Sequence, residues 1–172
     1  DSEKVSEALK DKGISRIISS PYTRAFQTVE PLAKKLALPI EIDDDLRERG
    51  AGKWHGDRFF DFVQKQWEDF DYRIEGGESL RQVQDRNIEA LNRLLCKYEC
   101  ETLALATHGT ALSTVINYFF PKYGYDDFLK IADLMPLIVK MTLDWDKNVS
   151  GNENGIICTD IKEIFSVKKA YK

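Results

Sequence analysis

Two side chains able to carry positive charge, Arg24 and His108, stand where a helix is predicted to follow a buried strand. Arg24 lies in SSPYTRAFQT after the apolar run ISRIISS, and His108 lies in THGT after TLALAT. A helix N-terminus carries positive partial charge, so a cation there is unfavourable unless it is exposed or an anion binds beside it. Guanidinium supplies a bidentate fork and imidazole a directed N–H. The two residues together predict donors that converge on one anion.

Each residue also has an ordinary structural explanation. An arginine on a helix is commonly a solvated surface residue, and a histidine at a strand end is commonly a hydrogen-bonded packing residue. The repetition of the same arrangement at two equivalent junctions favours the anion site.

A carboxylate, Glu48, follows a third predicted strand, IEIDDDL, and precedes a glycine-broken loop in DDDLRERGAGKWHG. Regular topology would bring Glu48 near the same strand ends. The neighbouring acidic run, residues 43–45, is interpreted as a solvated turn because no matching carboxylate or histidine cluster lies at metal-ligand spacing. The sequence therefore predicts neither a metal site nor a cofactor.

The elements that must position these residues alternate between helices and short apolar strands. Ser20 is predicted to cap a helix whose first residue is Pro21. Such alternation predicts an α/β three-layer α/β/α sandwich with a mostly parallel sheet, in one domain over residues 1–172. Ligands of such sheets bind beyond the carboxyl ends of the strands. The predicted order is a helix ending at Gly13, the strand ISRIISS, a helix from Pro21 to about Leu36, the strand IEIDDDL, a loop and helical insert at about 50–77, a helix from Glu78 to about Tyr98, the strand TLALAT, the helix ALSTVINYFF, and a hairpin of PLIVKMTLDW and GIICTDIKEIF at a sheet edge, joined by NVSGNEN.

Composition excludes several other classes of protein. A chain of 172 residues that is 42% hydrophobic suits one globular core, and a net charge of −4 gives no general attraction to nucleic acid or anionic membrane. Three cysteines without CxxC spacing argue against a disulfide framework or zinc site and fit a reducing cytosol. No segment has the apolar length of a membrane span, and the sequon at Asn148 is taken as a chance match. We therefore expect a cytoplasmic protein.

Four segments in the same order resemble motifs of the histidine phosphatase superfamily, also called phosphoglycerate mutase-like. SSPYTRAFQT is similar to the second-arginine motif, LRERGAGKWHG to the acid loop, GGESL to a segment of the phosphatase branch, and ATHGT to the second-histidine motif. The resemblance implies that Arg24 clamps the transferred phosphoryl group, His108 stabilises its equatorial oxygens, and Glu48 donates a proton to the leaving oxygen. Gly109 and Thr110 would contact the phosphoryl group from the helix start.

One feature of the family is absent from the sequence. Members begin with a central strand ending in Arg-His-Gly, whose histidine is the nucleophile, whereas His55 here matches a variable position of the acid loop. We therefore expect a strand and its loop, about 30 residues, ahead of Asp1, so that the domain in hand is N-terminally incomplete. A central parallel strand is paired on both sides, so the alternative is a strand from another chain, through a homodimer or strand exchange.

The leading functional hypothesis is a metal-independent phosphomonoesterase that acts through a phosphohistidine intermediate, its nucleophile lying outside these residues. Its partner would be a small phosphorylated substrate or inorganic phosphate. One alternative is a phosphoglycerate mutase, although the insert is short for the lobes that enclose substrate in mutases. The other alternative is a catalytically inactive phosphate-binding module.

Substrate identity rests on side chains whose role the sequence leaves open. Arg47, Arg49 and Lys53 either select a second anionic group or are exposed charges, and Glu78 is either a functional acid or a favourable charge at a helix start. Aromatic residues of the insert either line a pocket or form a satellite core: Trp54, Phe59, Phe60, Phe62, Trp67, Phe70 and Tyr72.

Overall fold

Three short strands form a parallel sheet in the computed structural model, which describes residues 1–53, 59–145 and 155–168. The strands are β1 (Arg16–Ser19), β2 (Ile40–Ile42) and β3 (Leu103–Ala106), in the order β2-β1-β3. In the register, Ile17 of β1 lies opposite Ile40 on one side and Ala104 on the other. The α/β fold with a parallel sheet is confirmed.

Helices cover both faces of the sheet because neighbouring strand residues point to opposite sides. Ile17 packs with Val5 of the first helix and Leu32 of the second, whereas Ile18 packs with Leu46 and Leu94 on the other face. No helix within the described ranges is long and apolar enough to span a bilayer. The helices are α1 (Ser2–Leu9), α2 (Thr23–Leu36), α3 (Phe59–Glu68), α4 (Leu80–Lys97), α5 (Gly109–Phe119) and α6 (Tyr125–Ala132), with a short 3-10 helix at Asp44–Leu46.

The predicted hairpin consists of β4 (Leu134–Trp145) and β5 (Ile156–Lys168), which pair antiparallel. Its turn NVSGNEN, with Asn148, lies outside the described residues. Within the described residues the hairpin is a separate two-stranded sheet and not an edge of the parallel sheet, so that part of the prediction is wrong. Instead, the side chains of Ile138 and Met141 pack on two different hydrophobic clusters that also contain residues of the parallel sheet. No described residue pairs with the second edge of β3.

The predicted helix starts need correction in two places. Helix α2 begins at Thr23 after an extended Tyr22, so the prediction of a Ser20 cap and of Pro21 as first helical residue is wrong. The Ser20 hydroxyl is engaged elsewhere, within hydrogen-bond distance of His108. Helix α4 begins at Leu80, where Ser79 and Gln82 form a reciprocal capping box.

The sequence patterns did not predict helix α6, although its start carries a recognisable signal. Asp127 accepts a hydrogen bond of 3.2 Å from the backbone N–H of Gly124, as an acidic residue at the third helical position does. Phe128 of this helix packs against Phe62 and Val63 of α3 in a cluster away from the sheet. The packing of α6 on α3 could therefore have been predicted only if both helices had been predicted.

The aromatic insert forms a satellite core where the structure describes it. Phe62 is buried, and Trp67 and Tyr72 pack around it. Phe59 and Phe60 are exposed at the start of α3, whereas Trp54 and His55 lie outside the described residues. For the aromatic residues of this cluster the structure supports the satellite-core interpretation.

Two glycines, one near each end of the insert, differ in one respect that a mutation can test. Gly52 and Gly76 both have left-handed backbones, with φ of +73° and +74°. A Cβ on Gly52 would lie 2.6 Å from the backbone N of Gly77, whereas one on Gly76 meets no atom within 4 Å. We expect Gly76→Ala to cost about 1–2 kcal/mol of unfolding free energy from backbone strain alone. Gly52→Ala should cost about 1–3 kcal/mol more from overlap, as measured by urea denaturation. Equal losses would contradict this close approach of the two loops.

Candidate active site

The register of the sheet brings the ends of β1 and β3 to one place. Ser19 lies opposite Ala106, and the backbone N–H of Ser20 donates to the carbonyl of Ala106 at 2.8 Å. Arg24 follows in the first turn of α2, and His108 is the residue that precedes α5. Both predicted donors therefore stand at the carboxyl edge of the parallel sheet, where ligands bind in folds of this kind.

Arg24 and His108 are in direct contact. The guanidinium Nε of Arg24 donates to Nδ1 of the imidazole at 3.2 Å, and the other ring nitrogen, Nε2, lies 2.8 Å from Oγ of Ser20. Because Nδ1 accepts a hydrogen bond, the proton of the neutral ring must reside on Nε2, which donates to the serine. The ring is buried, with 8% of His108 exposed, and both its orientation and its tautomer are defined by these two partners.

The guanidinium of Arg24 remains accessible while it holds the imidazole. Arg24 is exposed, and within the described residues its two terminal nitrogens have no hydrogen-bond partner. The ring of Tyr22 lies 4.8 Å below the guanidinium carbon and meets the imidazole edge-on at 5.1 Å. An arginine supported in this way can present its terminal N–H groups to an anion.

Glu48 reaches the same place from the loop after β2. One carboxylate oxygen accepts from the backbone N–H of Arg49 at 2.8 Å, and the other lies 3.4 Å from the backbone N–H of Thr110. Thr110 is the second residue of α5, and Gly109 before it has open space where a side chain would project. The structure thus brings together Arg24, Glu48, His108, Gly109 and Thr110.

The electrostatic surroundings keep His108 uncharged at neutral pH. Burial, and after it the positive charges of Arg24 and Arg86, together lower the pKa of its imidazole to about 4. A negatively charged ligand would offset these charges and make the imidazolium more favourable. Proton uptake at this ring is therefore linked to anion binding.

The titration of His108 can be measured directly by NMR of its imidazole ring. We expect an NMR midpoint near 4 for its ring, and a higher midpoint when inorganic phosphate is present. The unfolded chain, with an ordinary histidine pKa, takes up this proton first, so the ring's contribution to stability is lost as pH falls from about 6.5 towards 4. The ring signal that disappears in His108→Gln is the signal of this residue. A midpoint near 6.5 without phosphate would contradict the buried, cation-flanked environment.

Two further residues of the site were not predicted. Ser20 contacts the imidazole, and Arg86 of α4 lies beneath the loop that carries Glu48, only 8% exposed. Arg86 falls three residues after Val83 and four before Ala90, on the buried stripe of its helix. A charged residue on an otherwise buried stripe needs a buried polar partner, so the sequence contained a signal for this contact.

The three basic residues of the acid loop are all engaged within the protein. Arg47 donates to Glu78 at 2.9 Å, and Lys53 donates to Glu75 at 2.7 Å on the surface. Arg49 is buried, and its guanidinium donates to the side chain of Gln66. The interpretation as an exposed charge therefore holds for Lys53 and is wrong for Arg49.

Relatives of known sequence share this region of the chain. Phosphoglycerate mutase-like protein 4 of Arabidopsis thaliana is 33% identical over 124 residues, which are 66% of this chain and 54% of that protein. Bifunctional protein Rv2228c of Mycobacterium tuberculosis is 32% identical over 111 residues, 60% of this chain and 30% of that protein. The chain thus spans about half or less of the length of these relatives.

Solved structures share the fold at lower sequence identity. Mycobacterial hydrolase 1 superposes with a TM-score of 0.70 at 18% identity, covering 94% of this chain and 80% of its own. A phosphoserine phosphatase variant from Entamoeba histolytica, in complex with phosphoserine, gives 0.66 at 19% identity, covering 93% and 79%. Mycobacterial glucosyl-3-phosphoglycerate phosphatase with inorganic phosphate gives 0.59 at 23% identity, covering 70% and 65%.

One family model matches most of the length of this chain, and the match includes the motifs in their order along the chain. The model that describes the histidine phosphatase superfamily, branch 1, matches residues 1–144, from α1 into β4. That span contains every side chain placed above at the carboxyl edge of the parallel sheet. This chain belongs to branch 1 of the histidine phosphatase superfamily.

Proposed function

We propose that the full-length protein is a metal-independent phosphomonoesterase that works through a phosphohistidine intermediate. The observation that carries the proposal is the convergence of a guanidinium, an imidazole and a carboxylate at the N-terminus of α5, in a member of this superfamily. The phosphatases with inorganic phosphate and with phosphoserine share its fold. These two structures support the proposal that the ligand of this protein is a small phosphorylated molecule.

In the first step a histidine nitrogen attacks phosphorus, and the bond from phosphorus to the leaving oxygen breaks. Glu48, protonated, gives its proton to that oxygen, so the alcohol leaves uncharged. In the second step water attacks phosphorus and the bond from phosphorus to the histidine nitrogen breaks; Glu48 takes a proton of the water, and inorganic phosphate is released. The attacking histidine is expected on a strand outside residues 1–172, and the edge of β3 that no described residue occupies offers a place for that strand to pair.

The phosphoryl group is held by fixed donors in this proposal. Arg24 binds two of its oxygens with its terminal N–H groups, and the Nε2–H of His108 turns from Ser20 towards a third. The backbone N–H groups of Gly109 and Thr110 add the field of the helix start. Charge on the non-bridging oxygens in the transition state is thereby stabilised by arginine, histidine and backbone amides, without a metal ion.

The test uses the full-length protein, a panel of phosphomonoesters and an excess of chelator. We expect hydrolysis that survives the chelator, and an acid-labile, base-stable phosphoenzyme when the reaction is quenched during turnover. A protein that binds inorganic phosphate but hydrolyses none of the panel would overturn the proposal in favour of an inactive phosphate-binding module. Hydrolysis that stops with chelator would overturn metal independence.

A phosphoglycerate mutase is the second candidate, and the Arabidopsis relative named phosphoglycerate mutase-like favours it. A mutase would return the phosphoryl group to a bound phosphoglycerate and not to water. Isomerisation of 3-phosphoglycerate that is stimulated by bisphosphoglycerate, and that exceeds hydrolysis, would establish this candidate.

A further inference from the structure

A partly buried ion pair lies beside the segment that carries Glu48. Arg86 of α4 contacts both carboxylate oxygens of Glu78, Nε to Oε1 at 2.9 Å and a terminal nitrogen to Oε2 at 3.1 Å. Such a bidentate pair has defined geometry as well as charge complementarity. Among the described residues, neither side chain hydrogen-bonds to Arg24 or His108, so the pair supports the candidate site from outside it.

Arg86 also binds the backbone of the Glu48 segment from the side of α4. Its terminal nitrogens donate to the carbonyl of Asp45, to that of Arg47 at 2.9 Å, and to that of Glu48 itself at 3.3 Å. One side chain therefore holds three carbonyls around the carboxylate. Hydrogen bonds from a charged donor are among the stronger ones in proteins, so these contacts restrain the segment.

Glu78 binds the same segment from its other end. Its Oε2 accepts from the backbone N–H of Gly50 at 2.8 Å, and the backbone N–H of Glu78 donates to the carbonyl of Gly50 at 2.8 Å. Oε1 of Glu78 also accepts from Arg47 at 2.9 Å. The backbone on both sides of Glu48 is thus attached to one ion pair.

We propose that Glu78 and Arg86 are positioning residues for Glu48, which orient its carboxylate towards the leaving oxygen; this rests on the function proposed above. A buried ion pair is by itself weak evidence for stability, because desolvation offsets its attraction. The contacts of this pair converge instead on the residues flanking one carboxylate. A proton donor must lie within hydrogen-bond reach of its acceptor, and a displacement of 1 Å can cost about 100-fold in rate.

The test compares Glu78→Gln and Arg86→Lys with wild type in the full-length protein. Glutamine keeps the shape of the acid but accepts fewer hydrogen bonds, and lysine keeps the charge but loses the fork. Arg81→Gln is the matched control, because Arg81 lies on the same helix and pairs with Asp71 on the surface, outside the Glu48 segment. Circular dichroism and thermal unfolding verify that each variant is folded.

The decisive measurement is the dependence of kcat on the leaving group. We expect Glu78→Gln and Arg86→Lys to lower kcat for an alkyl phosphate such as glycerol phosphate by about 10–100-fold, from loss of acid catalysis. The losses on p-nitrophenyl phosphate should be under about threefold, because nitrophenolate leaves without a proton. Unchanged rates on both substrates, or equal losses on both, in folded variants would overturn the positioning role.

A second measurement tests the position of Glu48 independently of enzymatic activity. The backbone N–H of Thr110 faces a carboxylate oxygen of Glu48, so its hydrogen exchange reports where Glu48 lies. We expect Glu78→Gln to accelerate exchange at Thr110 as well as at Gly50. If wild type hydrolyses no phosphomonoester, the proposed function fails, while faster exchange at Thr110 would still support the positioning. Faster exchange at Gly50 alone would overturn it.

Discussion

Replacing Arg24 with alanine in the full-length protein should weaken binding of inorganic phosphate by about 10–100-fold, because a charge-assisted fork is worth about 1.5–3 kcal/mol. Turnover should fall further, by about 100–1,000-fold in kcat, because charge on the non-bridging oxygens grows in the transition state. Isothermal titration with phosphate and steady-state kinetics measure the two effects.

Lys34→Ala is the matched control for Arg24→Ala, because Lys34 is an exposed cation of the same helix that pairs only with Glu30 among the described residues. Arg24→Lys distinguishes the fork from the charge, since lysine offers a point charge without the planar pair of donors. Unchanged affinity for inorganic phosphate in Arg24→Ala would refute the clamping role.

Replacing Glu48 with glutamine should slow hydrolysis of alkyl phosphates by about 100–10,000-fold, the usual contribution of a general acid. Activated aryl phosphates should be far less affected, because their leaving groups are stable anions. Glutamine has one amide oxygen and can accept only one of the two backbone N–H groups, of Arg49 or of Thr110. Glu78 and Arg86 still hold the backbone of the loop, so the loop should keep its conformation.

The measurement for Glu48→Gln is a plot of log kcat against the pKa of the leaving group. Wild type should give a shallow slope and the variant a steep one, because only the variant must expel an unprotonated oxygen. Equal losses for all leaving groups would exclude Glu48 as the proton donor and would indicate a role in binding. Glu75→Gln is the control, since Glu75 pairs with Lys53 on the surface of a neighbouring loop.

The parallel sheet was predictable because each of its strands carries a local pattern. Ile17 and Ile18 lie within an apolar run, as does Leu105, and such runs predict buried strands whatever the rest of the chain does. The neighbourhood of Arg24 and His108 followed from topology, because the carboxyl ends of parallel strands meet at one edge. Such topological rules can be applied without knowing which side chains contact one another.

The supporting residues were not predictable because their partners are distant in sequence. Ser20 has the local signature of a helix cap, yet a histidine 88 positions away takes its hydroxyl. Arg49 occupies a polar loop and would be assigned to the surface, yet it donates to a buried glutamine of α3. Tertiary contacts override local preference at these positions, and a local pattern carries no information about them.

The pairing of β1 with β3 has a consequence for how the protein folds. The contacts from Arg24 and Ser20 to His108 close loops of 84 and 88 residues, among the longest that side-chain hydrogen bonds close in the described part of the chain. Chain entropy makes contacts of such separation slow to form, whereas α1, β1, α2 and β2 can assemble from local contacts. The anion site therefore comes into existence only when β3 has paired with β1. An early folding intermediate would lack the site altogether, and a bound anion would raise the melting temperature by favouring the completed fold over all partially assembled states.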